Sequence, residues 1–182
     1  MAKWRIDPDH AAAEFTAHHM MVTLVRGQFN GVSGTVLFDP AEPSRTSTRV
    51  EVDAAGIYTG VDRRDNHLRS PDFLDVEKYP LMIFESTKVK VVAANNLKME
   101  GNLTIHGFTC PVVFDVQYSG PSAFVDDDKA YTTFGFHAAA CIDRGDFGMV
   151  WNLDIENGGF MVSRHIDIAL NFEADLEEQE KG

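Results

Sequence analysis

The stretch Leu97-Lys98-Met99-Glu100-Gly101-Asn102-Leu103-Thr104-Ile105-His106 decides the fold class of this chain, because apolar or small residues alternate in it with polar ones. Successive side chains of a β-strand point to opposite faces, so this alternation predicts a strand with one buried face and one solvated face. Such strands are typical of antiparallel sheets, whereas the strands of parallel sheets are buried on both faces.

The same alternation recurs along the chain and predicts about eight strands. Asp39-Pro40 and Asn95-Asn96 are turn signals between strands, and asparagine tolerates the positive φ of a tight hairpin. Helical patterns are nearly absent between the strands, although a parallel sheet would require them. The pattern therefore predicts an all-β antiparallel barrel or sandwich. The alternating runs lie at 32–38, 49–53, 97–106, 112–118, 133–143 and 165–173, with less regular runs at 4–6, 13–24 and 82–92.

Residues 59–79 differ from the rest, because they carry the start signals of short helices. Thr59, with Asp62 three positions later, fits a capping box. Ser70 followed by Pro71 fits an N-cap and a proline at the first position of a second helix. We therefore expect two short helices, inserted between strands, that cover one mouth of a barrel.

Composition and charge disfavour several classes of protein. The 182 residues are 44% hydrophobic and 24% charged, as in a soluble protein that buries a core. The formal net charge of −12 disfavours binding to nucleic acid or to an anionic membrane surface. No apolar run approaches the length of a membrane-spanning helix. The first residues carry no signal-peptide pattern, so we expect a cytoplasmic location, or a periplasmic one if a signal has been removed.

Six stretches of the chain share their order and residues with one known family. The longest is 64–80, which reads RDNHLRSPDFLDVEKYP, and it is the most specific of the six. Together these stretches closely resemble the YceI-like family of polyisoprenoid-binding, lipocalin-like barrel proteins. The shorter stretches are 7–10 (DPDH), 15–18 (FTAH), 27–29 (GQF), 101–107 (GNLTIHG) and 144–148 (RGDFG).

This resemblance implies a fold, a ligand and an assembly. It implies an eight-stranded antiparallel lipocalin-like barrel over residues 1–174, followed by an acidic tail at 175–182. It further implies a long apolar ligand, often an isoprenoid, inside the barrel, with a helical segment near one mouth. Relatives often pair, so we expect a homodimer.

The lumen of such a barrel receives the apolar face of every strand, and these side chains either fill it or line a ligand cavity. Small residues such as Ala13, Ala17, Gly34 and Gly101 leave room for a ligand, or else they lie opposite large side chains in a packed core. The resemblance favours the cavity. The predicted ligand-binding residues of the lumen are Phe15, Phe29, Phe84, Leu103, Ile105, Phe134, Phe136, Ile168 and Leu170.

Four polar residues complete the predicted ligand-binding set. Asp65 and His67 belong to an arginine-rich run, 63–69, that either binds a polar or phosphorylated head group or is braced by ion pairs. Arg144 either buttresses the end of the barrel or reaches the head group. His18 is adjacent to a second histidine on a strand, where neighbouring side chains face opposite sides, so no shared metal site is predicted.

No catalytic residues are predicted, because the chain lacks a Gly-x-Ser-x-Gly elbow, a phosphate-binding glycine loop and a dinucleotide fingerprint. We expect a non-catalytic carrier, without a cofactor, that holds a long-chain apolar lipid (isoprenoid, quinone-like or fatty-chain) in the lumen. Two alternatives stay open. One is an enzyme that acts on such a lipid with His10, His18 or His67 as base, and the other is a packed barrel that serves as an interaction module.

Overall fold

The computed structural model describes residues 1–126, 129–155 and 159–177. It consists mostly of β-strands with one short helix, α1 (Asp62–Arg69). The strands are β1 (Ala2–His19), β2 (Thr23–Phe29), β3 (Val32–Phe38), β4 (Ser47–Asp53), β5 (Ile57–Tyr58), β6 (Leu81–Ala93), β7 (Asn96–Ile105), β8 (Phe108–Asp126), β9 (Lys129–Asp143) and β10 (Val162–Leu176).

Eight of these strands close into a barrel. Going round the ring, β1 is followed by β3, β4, β6, β7, β8, β9 and β10, and each strand is antiparallel to the next. The ring closes because β10 also pairs with β1, from Trp4 opposite Leu176 to His19 opposite Val162. The predicted eight-stranded antiparallel lipocalin-like barrel is confirmed. Of the predicted acidic tail, 178–182 lies outside the described residues.

Along one of its edges, strand β1 pairs with two different strands. Its start, Ala2–Arg5, pairs with β3, and its end, from Ala13 to His19, pairs with β2. The register against β10 shifts between Ile6 and Ala11, around Pro8, which has no N–H to donate to a ladder. Strand β2 also pairs with β5, which leads into α1, so this extension of the wall positions the helix at one end of the barrel.

Two sequence expectations for the turns have different outcomes. Asn95 adopts a φ of 60° between β6 and β7, as the predicted hairpin requires. The single run expected over 13–24 is wrong, because the chain reverses at Met20 and Met21, with φ values of 51° and 60°. Neither methionine is a residue that turn chemistry favours at positive φ, so composition did not mark this turn.

The expectation of two helices over 59–79 is also wrong, since the described chain there contains α1 followed by turns. Val61 is the N-cap of α1, and it makes no side-chain capping bond. The Ser70 hydroxyl donates to the carbonyl of His67 at 2.7 Å, and the Ser70 N–H donates to the same carbonyl. Ser70 therefore ends α1 instead of beginning a second helix.

An aromatic cluster closes the lumen at the end opposite α1. Phe38 is at its centre and is fully buried, with ring centroids 4.9 Å from Tyr118, 5.0 Å from Phe134 and 5.4 Å from Phe136. The Trp4 ring packs edge-on against Phe134, and its Nε1 donates to the carbonyl of Phe38 at 3.1 Å. Edge-to-face packing of this kind adds to the stabilisation from burial alone.

Within the described residues, no helix is long and apolar enough to cross a membrane.

Replacing Phe38 with alanine is expected to lower the free energy of unfolding by about 3–5 kcal/mol, because it empties the centre of the aromatic cluster. Leu37→Ala is the matched control, since Leu37 is the next residue on β3 and is 40% exposed. We expect the control to cost under about 1 kcal/mol. Urea denaturation measures both, and equal losses would mean that the cluster does not organise this end.

Candidate ligand-binding site

The lumen contains an apolar cavity, here called the outer chamber, between the aromatic cluster and α1. Its empty volume is about 1080 Å³, part of which is open to solvent. The inward faces of the strands form its wall, and Leu68 of α1 with Phe73 and Leu74 covers the end near the helix. Among the described residues that line it, Glu14 and Arg144 are the charged ones.

Glycines let two phenylalanine rings lie flat against the wall and leave the chamber open. A Cβ at Gly27 would approach the ring of Phe15 to 2.5 Å, and a Cβ at Gly101 would approach the ring of Phe84 to 2.4 Å. Both distances are too short for real atoms, so a side chain at either glycine would displace the ring. Of the small residues predicted to leave room, Gly101 therefore does so by accommodating a ring.

A narrower space, here called the inner chamber, continues toward the aromatic cluster. Its empty volume is about 480 Å³, and Phe136 and Phe172 are among the residues that line it. The two chambers share Phe84 and Phe114, whose rings meet edge-to-face with centroids 5.0 Å apart. We call this ring pair the waist, because it separates the space near α1 from the space near the closed end.

The mouth near α1 is held by hydrogen bonds to backbone groups. The carboxyl group of Asp65, which is 3% exposed, accepts from the Thr59 N–H at 3.0 Å and from the Thr59 hydroxyl. Arg64 donates to the Thr59 hydroxyl and carbonyl, and Arg69 donates to the carbonyls of Ala55 and Ile57. Both arginines therefore brace the mouth.

His67 lies beside the mouth in a small aromatic group. Its ring contacts Trp151 with centroids 4.6 Å apart and Phe73 with centroids 5.1 Å apart. Its Nε2 is 2.8 Å from a carboxyl oxygen of Asp72. Phe73 lines the outer chamber and His67 does not, so His67 contacts that space only through the ring of Phe73.

Arg144 is as deeply buried as Asp65, with 3% of its surface exposed. Its guanidinium donates to three backbone carbonyls: those of Ser163 at 2.9 Å, Val162 at 3.3 Å and Met149. Burial lowers the pKa of this guanidinium from its usual value, although arginine stays charged in proteins. Arg144 buttresses the barrel end and also touches the outer chamber.

The structure brings most of the predicted ligand-binding residues together and leaves four outside both chambers. Asp65 bonds to Thr59, His67 packs on the aromatic group, Phe134 belongs to the aromatic cluster, and His18 is exposed. Their roles toward a ligand stay predictions. Those that line the outer chamber are Phe15, Phe29, Phe84, Leu103, Ile105, Arg144, Ile168 and Leu170, and Phe136 lines the inner one.

Sequence reasoning missed the lining residues that lie outside the strands. Leu68, Phe73, Leu74 and Met149 come from α1 and from connections where period-two alternation does not apply. The one signal for Phe73 and Leu74 was their position inside the long family-like stretch, 64–80.

The remaining histidine considered as a base, His10, lies on the outer surface. Its Nδ1 is 2.6 Å from a carboxyl oxygen of Asp7, and this hydrogen bond raises the pKa of His10 and lowers that of Asp7. In the described part of the chain, no three His, Cys, Asp or Glu side chains are grouped so that they could hold a metal ion.

Comparison with known proteins identifies relatives over nearly the whole chain. The family model of the YceI-like domain matches residues 4–174. A "UPF0312 protein" of Pseudomonas savastanoi pv. phaseolicola is 33% identical over 164 residues, which span 90% of this chain and 80% of that protein.

Two solved structures share the fold. BcnA of Burkholderia cenocepacia superposes with a TM-score of 0.77 at 22% identity, covering 92% of this chain and 98% of BcnA. A polyisoprenoid binding domain from Saccharophagus degradans superposes with a TM-score of 0.67 at 12% identity, covering 97% of this chain and 100% of that domain.

Asp65→Ala is expected to lower the free energy of unfolding by about 1–3 kcal/mol, because the Thr59 N–H and hydroxyl lose their acceptor in a buried place. Asp62→Ala is the control, since Asp62 is an exposed acidic residue in the first turn of the same helix. Its loss should stay within about 1 kcal/mol. Chemical denaturation compares the two, and a larger loss in the Asp62 variant would contradict the assigned role.

Proposed function

This chain belongs to the YceI-like domain family, and from that premise we propose that it is a non-catalytic carrier for a long-chain apolar lipid. The observation that carries the proposal is the outer chamber, an apolar space in the lumen of a closed barrel that opens to solvent near α1. Ligand sites in proteins are concave and mostly apolar, with few polar groups. The outer chamber fits that description, and a packed interaction module does not require such a space.

The ligand class follows from the lining and from one relative. The lining of the outer chamber is almost entirely apolar, so it offers an unbranched or methyl-branched chain apolar contact, and a second apolar space lies behind the waist. The Saccharophagus degradans domain, which has the same fold, is named for binding polyisoprenoid. We therefore propose an isoprenoid, quinone-like or fatty chain as the ligand.

Apolar contact alone provides enough binding free energy to hold such a lipid in the outer chamber. Because the empty volume of the outer chamber includes space open to solvent, it sets only an upper limit of about 35 heavy atoms at roughly 30 Å³ each. Each methylene that the ligand buries there contributes about 0.8 kcal/mol, so burial of about ten of them already gives micromolar binding without a catalytic or covalent step.

The enzyme alternative finds no support in the placement of the histidines. His10 and His18 are exposed, and Phe73 separates His67 from the outer chamber. No described histidine lines either chamber, so the base that this alternative requires is missing from the described lining.

Two sequence-based expectations stay predictions. The homodimer is checked by light scattering of the purified protein, and the cytoplasmic or periplasmic location is checked by cell fractionation.

Organic extraction of the purified protein followed by mass spectrometry is expected to release a long-chain lipid. The stripped protein should then melt at a higher temperature when geranylgeraniol is added, because a ligand that binds the native state stabilises it. An empty extract together with an unchanged melting temperature across isoprenols and fatty alcohols would refute the carrier function.

Ala13→Trp tests whether the outer chamber is the site, because Ala13 lies on the inward face of β1 and lines that space. The indole would displace several methylenes of the ligand at about 0.8 kcal/mol each, so binding should weaken roughly 100-fold. Ala139→Trp is the matched control on β9, where the alternation with buried Ala138 places residue 139 on the outer face. Equal weakening by both variants would contradict the assignment.

Phe114→Ala is expected to extend the range of chain lengths that bind, because it removes one ring of the waist and joins the two chambers. Affinity in a series of alcohols of increasing length should level off in the wild type and continue to rise in this variant. Val116→Ala is the control, since Val116 lies two residues further along β8 and lines the inner chamber only. Identical length profiles for all three proteins would show that the waist does not limit the ligand.

A further inference from the structure

Arg144 presents a buried positive charge that, among the described residues, has no acidic partner in direct contact. The residue is 3% exposed, and its hydrogen bonds within the described chain go to the carbonyls of Met149, Val162 and Ser163. Carbonyl oxygens satisfy N–H groups but carry no net charge. Buried charges in proteins are usually paired or bound to a ligand of opposite charge.

The neighbouring acidic residue is already engaged elsewhere. Asp143 accepts from the Gly145 N–H at 2.8 Å and forms an ion pair with Arg164 at 2.8 Å. These contacts lower the pKa of Asp143, the Gly145 bond most strongly. Asp143 favours the charged form of Arg144 and Arg164 disfavours it, so the ion pair between them weakens the support that Asp143 gives to the charge of Arg144.

The guanidinium also retains donors for another partner. Three of its N–H groups bond to carbonyls, and a guanidinium has more donors than that. The residue lines the outer chamber, and its guanidinium carbon lies 5.9 Å from the centroid of the Phe73 ring, which lines the same space. A ligand in the chamber would therefore meet both the aromatic face and the charged group.

We propose that Arg144 binds an anionic oxygen head group, a phosphate or a carboxylate, at the end of the lipid that the outer chamber holds. This inference rests on the proposed carrier function and adds the chemistry of the head group to it. Planar guanidinium groups match the oxygens of both anions, and a charged bond of this kind is stronger than one to a neutral hydroxyl.

The position of Arg144 sets the orientation of the ligand. Arg144 follows β9 at the end of the barrel where Val162 begins β10 and where Leu68 of α1 covers the chamber. The waist and the aromatic cluster lie at the other end. The head group would therefore lie near α1, and the tail would point toward the waist at Phe114.

The test compares ligands that share a tail and differ in head group. Dissociation constants are measured for geranylgeranyl phosphate against geranylgeraniol, and for octadecanoate against octadecanol. The wild type should bind each anion roughly 10- to 100-fold more tightly than its alcohol. Arg144→Gln should lose this preference while keeping its affinity for the alcohols, and Arg144→Lys should keep part of it.

Arg164→Gln is the matched control, because it removes a positive charge near the same end from a side chain that is 66% exposed. It should leave the preference for the anion unchanged. The preference should also persist in added salt, since buried charges are screened much less than exposed ones. If Arg144→Gln does not fold, the wild type, Arg144→Lys and Arg164→Gln still decide the question.

The outcomes separate this inference from the proposed function. Tight binding of the alcohols with no preference for either anion would overturn the role of Arg144 and leave the carrier function standing. An equal loss of preference in the Arg164 variant would assign the effect to surface charge and overturn the inference as well. Binding of neither alcohols nor anions would overturn both. A preference for one anion alone identifies whether phosphate or carboxylate is the head group.

Discussion

The pairing of β1 with β10 is the constraint on which the rest of this structure depends. It joins the first strand to the last, from Trp4 opposite Leu176 to His19 opposite Val162, and converts an open sheet into a closed barrel. Closure leaves the ring no free edge. It also gives every strand an inner face that must contact either other side chains or a ligand.

The inner faces of the strands are packed by side chains at one end of the barrel and line an empty space at the other. Near the start of β1, large rings fill the lumen, and Phe38 lies in contact with Tyr118, Phe134 and Phe136. Toward α1 the lining is made of smaller aliphatic side chains and of rings held flat against glycines, and an empty space results. The closed end is therefore packed, and the end near α1 retains space for a ligand. The waist at Phe84 and Phe114 marks the boundary between these two regions.

Polar side chains at the mouth near α1 mainly hold the backbone in place, and Arg144 adds a buried positive charge. Asp65, Arg64 and Arg69 use their polar groups to hold Thr59 and the carbonyls of Ala55 and Ile57, so they account for much of the arginine-rich run without a ligand. Arg144 also supports backbone, but it does so from inside an apolar lining. A guanidinium within an apolar lining matches the amphiphile proposed above, whose tail and head differ in the same way.

The sequence by itself determined the all-β class, an antiparallel barrel or sandwich, and part of the lumen lining, because period-two alternation directly reports which side of a strand is buried. The choice of the barrel came from the family resemblance. Asn95 at its hairpin shows that local turn chemistry was also readable. The resemblance carried by 64–80 added the family and the expected ligand class. These features are local, so a single stretch of chain contains the information that specifies them.

Only the tertiary structure decided which lumen residues fill space and which line it, because that depends on what lies across the barrel. Phe134 and Phe84 were both predicted to line the lumen, yet one packs among rings at the closed end and the other lines the outer chamber. The reversal at Met20 and the end of α1 at Ser70 likewise depend on contacts that propensity does not report. The buried position of Arg144 is set by the carbonyls of Met149, Val162 and Ser163, which come near it only once the chain has folded.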